Sequence, residues 1–450
     1  MAQEVEIKLA IGAQHASHLW RVLARFPHEK PSTRQLFCAY YDTPDCLLKN
    51  SGVALRLRRD GSRWIQTVKN AGSAAGGLHR REEHETALAA PRPDFAALAQ
   101  AGFGTFLADR HTRDALDVVF TTRFRRTSTV FEHDGNSIVE VSLDRGTISA
   151  DGRQDSICEI ELELKAGQAT ALFELAGTLA RQLPVRLDNR SKAQRGYALA
   201  ARSRAAPVGA AKSRLSRQET VEQAFVGIAL DCVSHLQANE AGLLAGRDAE
   251  YLHQARVALR RLRSACRVFE AAVPEVGLTH ELEQLSTLAL VLGRARDLDV
   301  FVLETLARAD GADHPGMDAL RRRAQSLRRQ AGRAARAAVA APAYTIVLLQ
   351  FVRKLVEVQS RCEIAAGATG TSTRLADFAV DVFAHRQARL ARLGRHIEKL
   401  AFPQLHRLRI RVKRLRYASE FFLPLAPRNG DDALQSLGEL QGVLGRLNDD

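Results

Sequence analysis

Near the start of the chain, Glu4-Val5-Glu6-Ile7-Lys8-Leu9 alternates strictly between charged and apolar side chains. Successive side chains of a β-strand point to opposite faces, so Glu4, Glu6 and Lys8 share one face and Val5, Ile7 and Leu9 the other. A single strand of this kind is ordinarily the edge of an antiparallel sheet with its polar face in water. Here the pattern recurs. Arg56 and Arg58 alternate with Leu55 and Leu57, and Glu140 and Asp144 share the parity of Ser142 against Val141 and Leu143. Glu159, Glu161, Glu163 and Lys165 alternate with Ile160, Leu162 and Leu164. Several strands that each carry one apolar face and one charged face of mixed sign predict a closed barrel with its charges inside and helices over its apolar wall. Carboxylates offer hard oxygen donors to Mg²⁺ or Mn²⁺, and Arg and Lys bind phosphate oxygens. Such a lumen suits an anionic phosphate chain carrying a divalent metal.

The remaining signals over the first two hundred residues fit that frame. A helix is expected at 15–26, stopped by Pro27, and a strand at 35–41 ending in the turn Tyr40-Tyr41-Asp42-Thr43-Pro44. Strands at 54–59 and 64–69 are joined by Asp60-Gly61, a hairpin dipeptide. The segment 72–77 is rich in glycine but lacks the Lys and Ser or Thr of a phosphate-binding loop, so it reads as a mobile loop. Beyond the charged strand with Arg81, Glu83 and Glu85 come a helical patch at 93–101 and strands at 118–131, 137–143, 145–150 and 156–165. A helix at 169–183 and a polar segment at 190–197 close the unit. Residues 202–217 mix Arg, Ser, Ala, Gly and Pro without apolar periodicity and read as a basic linker.

From there on the pattern is helical, and it repeats. Leu252-His253 followed by Arg256, Arg260, Arg261, Leu262 and Arg263 recurs as Leu405-His406 followed by Arg409, Lys413, Arg414, Leu415 and Arg416. Leu292-Gly293-Arg294 with Asp297 recurs as Leu444-Gly445-Arg446 with Asp449, an offset of about 152 residues. The expected architecture is a tandem pair of helical bundles. In each copy a histidine and the basic residues 3, 7 and 10 positions later form a single stripe along a helix: His253, Arg256, Arg260 and Arg263, then His406, Arg409, Lys413 and Arg416. Cations gathered on one face repel one another unless an anion binds there, whereas a merely solvated face interleaves acids. The net charge of +14 resides mostly in this second half, a field that favours polyanionic partners. The stripes lack interleaved aromatic residues, which disfavours nucleic acid as the partner. Six cysteines without paired short spacing indicate reduced thiols and a cytoplasmic protein. Neither a leader segment nor a membrane-spanning run is expected.

Several of these features together resemble the CYTH family, the triphosphate tunnel metalloenzymes. They are Glu4, Glu6 and Lys8, the Tyr-Tyr-Asp-Thr-Pro turn, the Arg56/Arg58 strand, Lys69, the Gly-Leu-His-x-Arg-x-Glu run through Arg81 and Glu83, the glutamates at 159–163, and Ser191-Lys192. The likeness is strongest to the bacterial inorganic triphosphatases. It implies an α+β chain whose first domain, residues 1–201, is an eight-stranded antiparallel β tunnel with covering helices. It further implies Glu4, Glu6, Glu140, Asp144, Glu159 and Glu161 as metal ligands for Mg²⁺ or Mn²⁺. The phosphate-binding lining would be Lys8, Arg56, Arg58, Lys69, Arg81 and Lys192, with Arg126 chosen over Arg123 and Arg125 on the same strand. Glu4, Glu6, Lys8, Glu83 and Glu161 would carry the catalysis. Residues 218–450 resemble the CHAD domain, an all-α module associated with inorganic polyphosphate, which adds polyphosphate granules as a place of association. Members of that family continue past the second Leu-Gly-Arg-x-x-Asp motif, so an incomplete second bundle is expected. The rival readings are a nucleotide or thiamine triphosphate hydrolase or cyclase, and a non-catalytic polyphosphate-binding scaffold.

Overall fold

The computed structural model describes residues 2–70, 72–103, 107, 109–202, 205–246, 248–308, 316–365, 374–395, 397–426 and 430–449. They cluster in two compact units, residues 1–206 with 340–350 and residues 207–339 with 351–450.

The first unit is built on ten strands: β1 (Ala2–Ile11), β2 (Ser32–Asp42), β3 (Val53–Asp60), β4 (Arg63–Asn70), β5 (Ser73–Ala75), β6 (Leu78–Leu88), β7 (Asp117–His133), β8 (Ser137–Ala150), β9 (Arg153–Ala166) and β10 (Val185–Leu187). The pairing order β1-β9-β8-β7-β2-β3-β4-β6 closes on itself through β1 and β6, giving an eight-stranded antiparallel barrel with β5 and β10 as short additions. The alternation read from the sequence sets its two faces. Ile7, Leu9, Ile160 and Leu162 are fully buried on the outer wall, and the helix Thr170–Gln182 covers that wall with Leu172, Phe173, Ala176 and Leu179. Elsewhere on the wall, Leu55 and Val68 pack with Leu48 and Leu98 from two short helices.

Three local expectations are corrected. Residues 137–150 form one continuous strand instead of two, because the ladder to β7 and β9 runs unbroken through Asp144 and Arg145. The glycine-rich segment contributes β5, which pairs with β6. The polar segment near 190–197 becomes the helix Lys192–Ala200, started by a capping box in which Ser191 and Gln194 bond reciprocally to each other's backbone. That helix lies against Phe120, and at Gly196 a Cβ would fall 2.1 Å from the Phe120 ring, so only glycine permits the approach. Tyr197 from the helix, with Leu36, Tyr40, Phe120, Phe124, Ile148 and Ile157, fills one end of the barrel with an apolar core. Asp42 of the Tyr-Tyr-Asp-Thr-Pro turn accepts from the Tyr197 hydroxyl at 2.8 Å and from the backbone of Leu48 and Lys49, which explains the acid in that turn as a structural tie.

The long helices of the second half are Val221–Ala245, Ala249–Phe269, Thr279–Val300, Met317–Ala340, Pro342–Ala365, Leu375–Gly394, Phe402–Phe422 and Gly430–Asp449, all in the second unit except residues 340–350. The repeat read from the sequence is visible in its core. Phe225 and Phe269 of the first copy correspond to Phe378 and Phe422 of the second, and the four rings form one cluster with centroid separations of 5.2–6.1 Å. The two copies share this aromatic core. Residues 207–216, within the expected linker, have no regular structure. They are nonetheless fastened to this unit, since Val208 exchanges two hydrogen bonds with the buried Asn239 and its carbonyl also accepts from His235. Among the described residues, no single helix is long and apolar enough to cross a membrane.

Candidate active site and cationic groove

The barrel encloses a cavity of about 790 Å³ whose lining includes Glu4, Glu6, Lys8, Arg56, Arg58, Lys69, Arg81, Glu83, Arg126, Glu140, Glu161 and Lys192. Strand register brings their charges together in interleaved pairs. Lys69 Nζ lies 2.7 Å from Glu4 and 3.1 Å from Glu83. Lys8 donates to Glu6 at 2.9 Å and also to Glu161, directly opposite it in the β1–β9 ladder. Arg56 reaches Glu83 at 3.4 Å, Arg58 reaches Glu85 at 3.0 Å, and Lys165 bridges Glu140 and Glu163. Of the three arginines on β7, Arg126 lines the cavity, while Arg123 and Arg125 are exposed.

Where the charged lumen meets the apolar end, the carboxylates become fully buried. Asp144 accepts two bonds of 2.7 Å from Arg126 and lies 2.6 Å from Lys192, which also bonds Glu159 and Glu161. Burial alone would favour the neutral form of Glu161. The cations Lys192, Lys8 and Arg126 around it prevail, and its carboxyl is held well below the usual range. The same neighbours act on Lys8, where burial opposes the charge but Glu161 and Glu6 raise its pKa. Arg195 is a member of this cluster that the sequence reading missed: it donates to Asp155 at 2.7 Å and to Glu159 at 3.4 Å. Its position three residues after Lys192 on a helix was the available signal.

Oxygen atoms of Asp144, Glu159 and Glu161 converge within 4.8 Å of one another, a hard-donor set suited to Mg²⁺ or Mn²⁺. Asp144 and Glu159 are, however, closed off beneath Lys192 and Arg126, whereas Glu4, Glu6, Glu140 and Glu161 line the cavity itself. Both the donor chemistry and the accessible oxygens fit a divalent cation on the lumen side. The Nε groups of the lining residues Arg56 and Arg58 are buried and have no acceptor among the described residues.

The helical unit gathers a second set of charges. Arg256, Arg260 and Arg263 line a groove of about 630 Å³ with Gly293, Arg294, Asp297 and Leu327. At Gly293 a Cβ would lie 2.9 Å from Arg256 Nη1, whereas at Gly445 it would make ordinary contact with Arg409 at 3.8 Å. The side chains of Arg446 and Asp449 lie outside the described residues. Arg256 donates to Asp297 at 3.2 Å, and Arg416 donates to Gln441 and Glu420. The buried Arg260 Nε has no acceptor among the described residues. The two stripes also converge. Burial, together with Arg260 and Arg256 from the first copy and Arg409 and Arg416 from its own, lowers the Lys413 pKa to about 8. His253 is lowered as well, by burial and by Arg296, Arg260 and Arg256. His406 is exposed at the end of the second stripe.

The chain thus combines a closed antiparallel barrel lined by interleaved acids and bases with a duplicated helical unit that carries a cationic groove. Residues 2–197 match the CYTH domain and residues 227–450 the CHAD domain, and the chain carries both in that order. Over 199 residues it is 34% identical to an inorganic triphosphatase of Haemophilus influenzae, the match covering 44% of this chain and 55% of that protein. This chain thus spans about half the length of that relative. The crystal structure of the CHAD domain from the plant Ricinus communis is 32% identical, with 54% of this chain and 80% of that one covered and a TM-score of 0.49. A Hippeastrum protein described as an adenylyl cyclase with a dominant triphosphatase activity is 21% identical, with 43% and 95% covered and a TM-score of 0.35.

Proposed function

We propose that the barrel hydrolyses inorganic triphosphate with Mg²⁺ or Mn²⁺ and that the helical unit binds inorganic polyphosphate. The observation that carries the first part is the lumen itself, where carboxylates and cations interleave around a cavity. In this reading Lys8, Arg56, Arg58, Lys69, Arg81, Arg126 and Lys192 hold the phosphate chain. Glu4, Glu6, Glu140 and Glu161 would hold the metal, with Asp144 and Glu159 anchoring Lys192 and Arg126 beneath it. A bound divalent cation would neutralise charge developing on phosphoryl oxygens. Glu161, kept ionised by its neighbours, serves as an acceptor and not as a proton donor, and Glu83, between Lys69 and Arg56, is the second catalytic carboxylate. Positioning and charge stabilisation supply most of the acceleration in phosphoryl transfer. At the apolar end Tyr40, Phe124 and Tyr197 line the cavity and pack with Phe120 in one cluster. Phosphate release from triphosphate with and without divalent metal tests this reading.

The depressed Lys413 gives the polyphosphate part a pH signature. A bound polyanion favours the charged ammonium, so affinity should be greatest below pH 8 and fall as pH rises through the pKa of the free protein, about 8. Polyphosphate titrations between pH 7 and 9.5 should show this decline, and Lys413→Arg, charged throughout, should flatten it. An equal decline in both proteins would remove Lys413 from the site.

A further inference from the structure

His79 lies on β6 two residues before Arg81 and is completely buried. Its two ring nitrogens face partners that fix its state. Nε2 lies 3.1 Å from the Asp188 carbonyl, which can only accept, and Nδ1 lies 2.6 Å from Arg81 Nη2, which can only donate. A neutral imidazole with its proton on Nε2 satisfies both, and an imidazolium cannot. Burial and the nearby Lys8 and Arg81 charges agree, pushing the ring's pKa down to about 3. Arg81 itself differs from the other predicted lumen cations. Lys8, Arg56, Arg58, Lys69, Arg126 and Lys192 each lie within 4.0 Å of a carboxylate. Arg81 has no such partner among the described residues, although Glu4 is its register neighbour on β1. The far side of the ring is tied to the segment leading into the Lys192 helix. Asp188 also donates its N–H to the Lys8 carbonyl, and Asn189 accepts from Gly77 N–H at 2.7 Å.

We propose that His79 is a positioning residue: a neutral acceptor that holds Arg81 as an uncompensated cation for the phosphate chain and registers it against the segment bearing Lys192. This rests on the lumen being the triphosphate site. An arginine held by an imidazole keeps its full charge for an incoming anion, whereas one paired with a carboxylate must first exchange that partner. Asn and Gln divide the two jobs of the ring, since Asn can present an oxygen near the Nδ1 position and Gln an N–H near the Nε2 position.

The test measures affinity for diimidotriphosphate, a triphosphate with uncleavable nitrogen bridges, together with KM and kcat for triphosphate, in the full chain with Mg²⁺. His79→Leu and His79→Gln should weaken analogue binding and raise KM by about tenfold or more, the loss of a charged hydrogen bond. His79→Asn should recover most of that loss. In an Arg81→Gln background His79→Leu should have no further effect on affinity, a non-additivity that a purely structural role would not produce. Melting temperatures identify variants that merely unfold, and the Asn and Gln forms keep the comparison open if the Leu form does. Additive losses, or equal losses in Asn and Gln, would overturn the positioning role while leaving the lumen reading intact. Failure of the wild type to bind the analogue would overturn both.

Discussion

Glu4→Gln and Glu6→Gln are each expected to lower triphosphate turnover on the order of a hundredfold at saturating metal, with the melting temperature almost unchanged. The two carboxylates share one face of β1 and line the cavity, where a lost negative charge would weaken the proposed metal site and the hold on the neighbouring ammonium. The fold survives because neither lysine is abandoned. Lys69 keeps Glu83 at 3.1 Å when Glu4 is neutralised, and Lys8 keeps Glu161 when Glu6 is. Breaking a buried pair is severe only when it leaves a charge uncompensated, and here a second partner remains. Steady-state kinetics across a metal titration, with thermal unfolding in parallel, checks the expectation. Full activity at saturating metal would remove these residues from the catalytic centre.

The second large effect concerns the helical unit. Changing Arg256, Arg260, Arg409 and Lys413 together to Gln should weaken binding of long-chain polyphosphate by orders of magnitude while triphosphate hydrolysis continues. The residues come from both copies of the repeat, yet Lys413 feels Arg260 and Arg256 across the pseudo-repeat, so a single bound chain would meet all four. Binding to such a row of cations releases condensed counter-ions, and wild-type affinity should fall steeply as salt rises, as it does for nucleic acids. The variant should lose much of that salt dependence together with its affinity. Removing four mutually repelling cations should also leave the helices at least as stable as before. Titrations at two salt concentrations, with hydrolysis assayed alongside, decide the matter. Unchanged binding would exclude the stripes, and loss of hydrolysis in a folded variant would show that the two functions are coupled.

Much of the barrel was legible because a period of two is a strong constraint. Once Glu4, Glu6 and Lys8 share a face, the apolar residues between them must face a covering layer, and the helix carrying Leu172, Phe173 and Ala176 supplies it. What parity cannot give is register, and register decides chemistry. Nothing in the sequence said that Lys8 would stand opposite Glu161, or that Arg126 would close over Asp144, because those pairings join residues far apart in the chain. For the same reason Asp144 and Glu159 read as equals of Glu4 and Glu6, although the fold buries them beneath Lys192. The inner face of β7 also changes from charge to Phe120 and Phe124, and only the docking of Tyr197 reveals that these rings form an end to the cavity. In the helical unit the repeat showed two stripes but not their meeting, which depends on how Phe269 packs against Phe378 and Phe422 of the other copy.

In the proposed reading the lumen is a metal-dependent site for a small inorganic phosphate chain. Its most direct test is initial phosphate release by the full chain from triphosphate, pyrophosphate, ATP and long-chain polyphosphate, each with Mg²⁺, Mn²⁺ or a chelator. Triphosphate should be cleaved far faster than ATP, and the chelator should stop the reaction. Equal rates for triphosphate and ATP, or release that persists without metal, would contradict this reading.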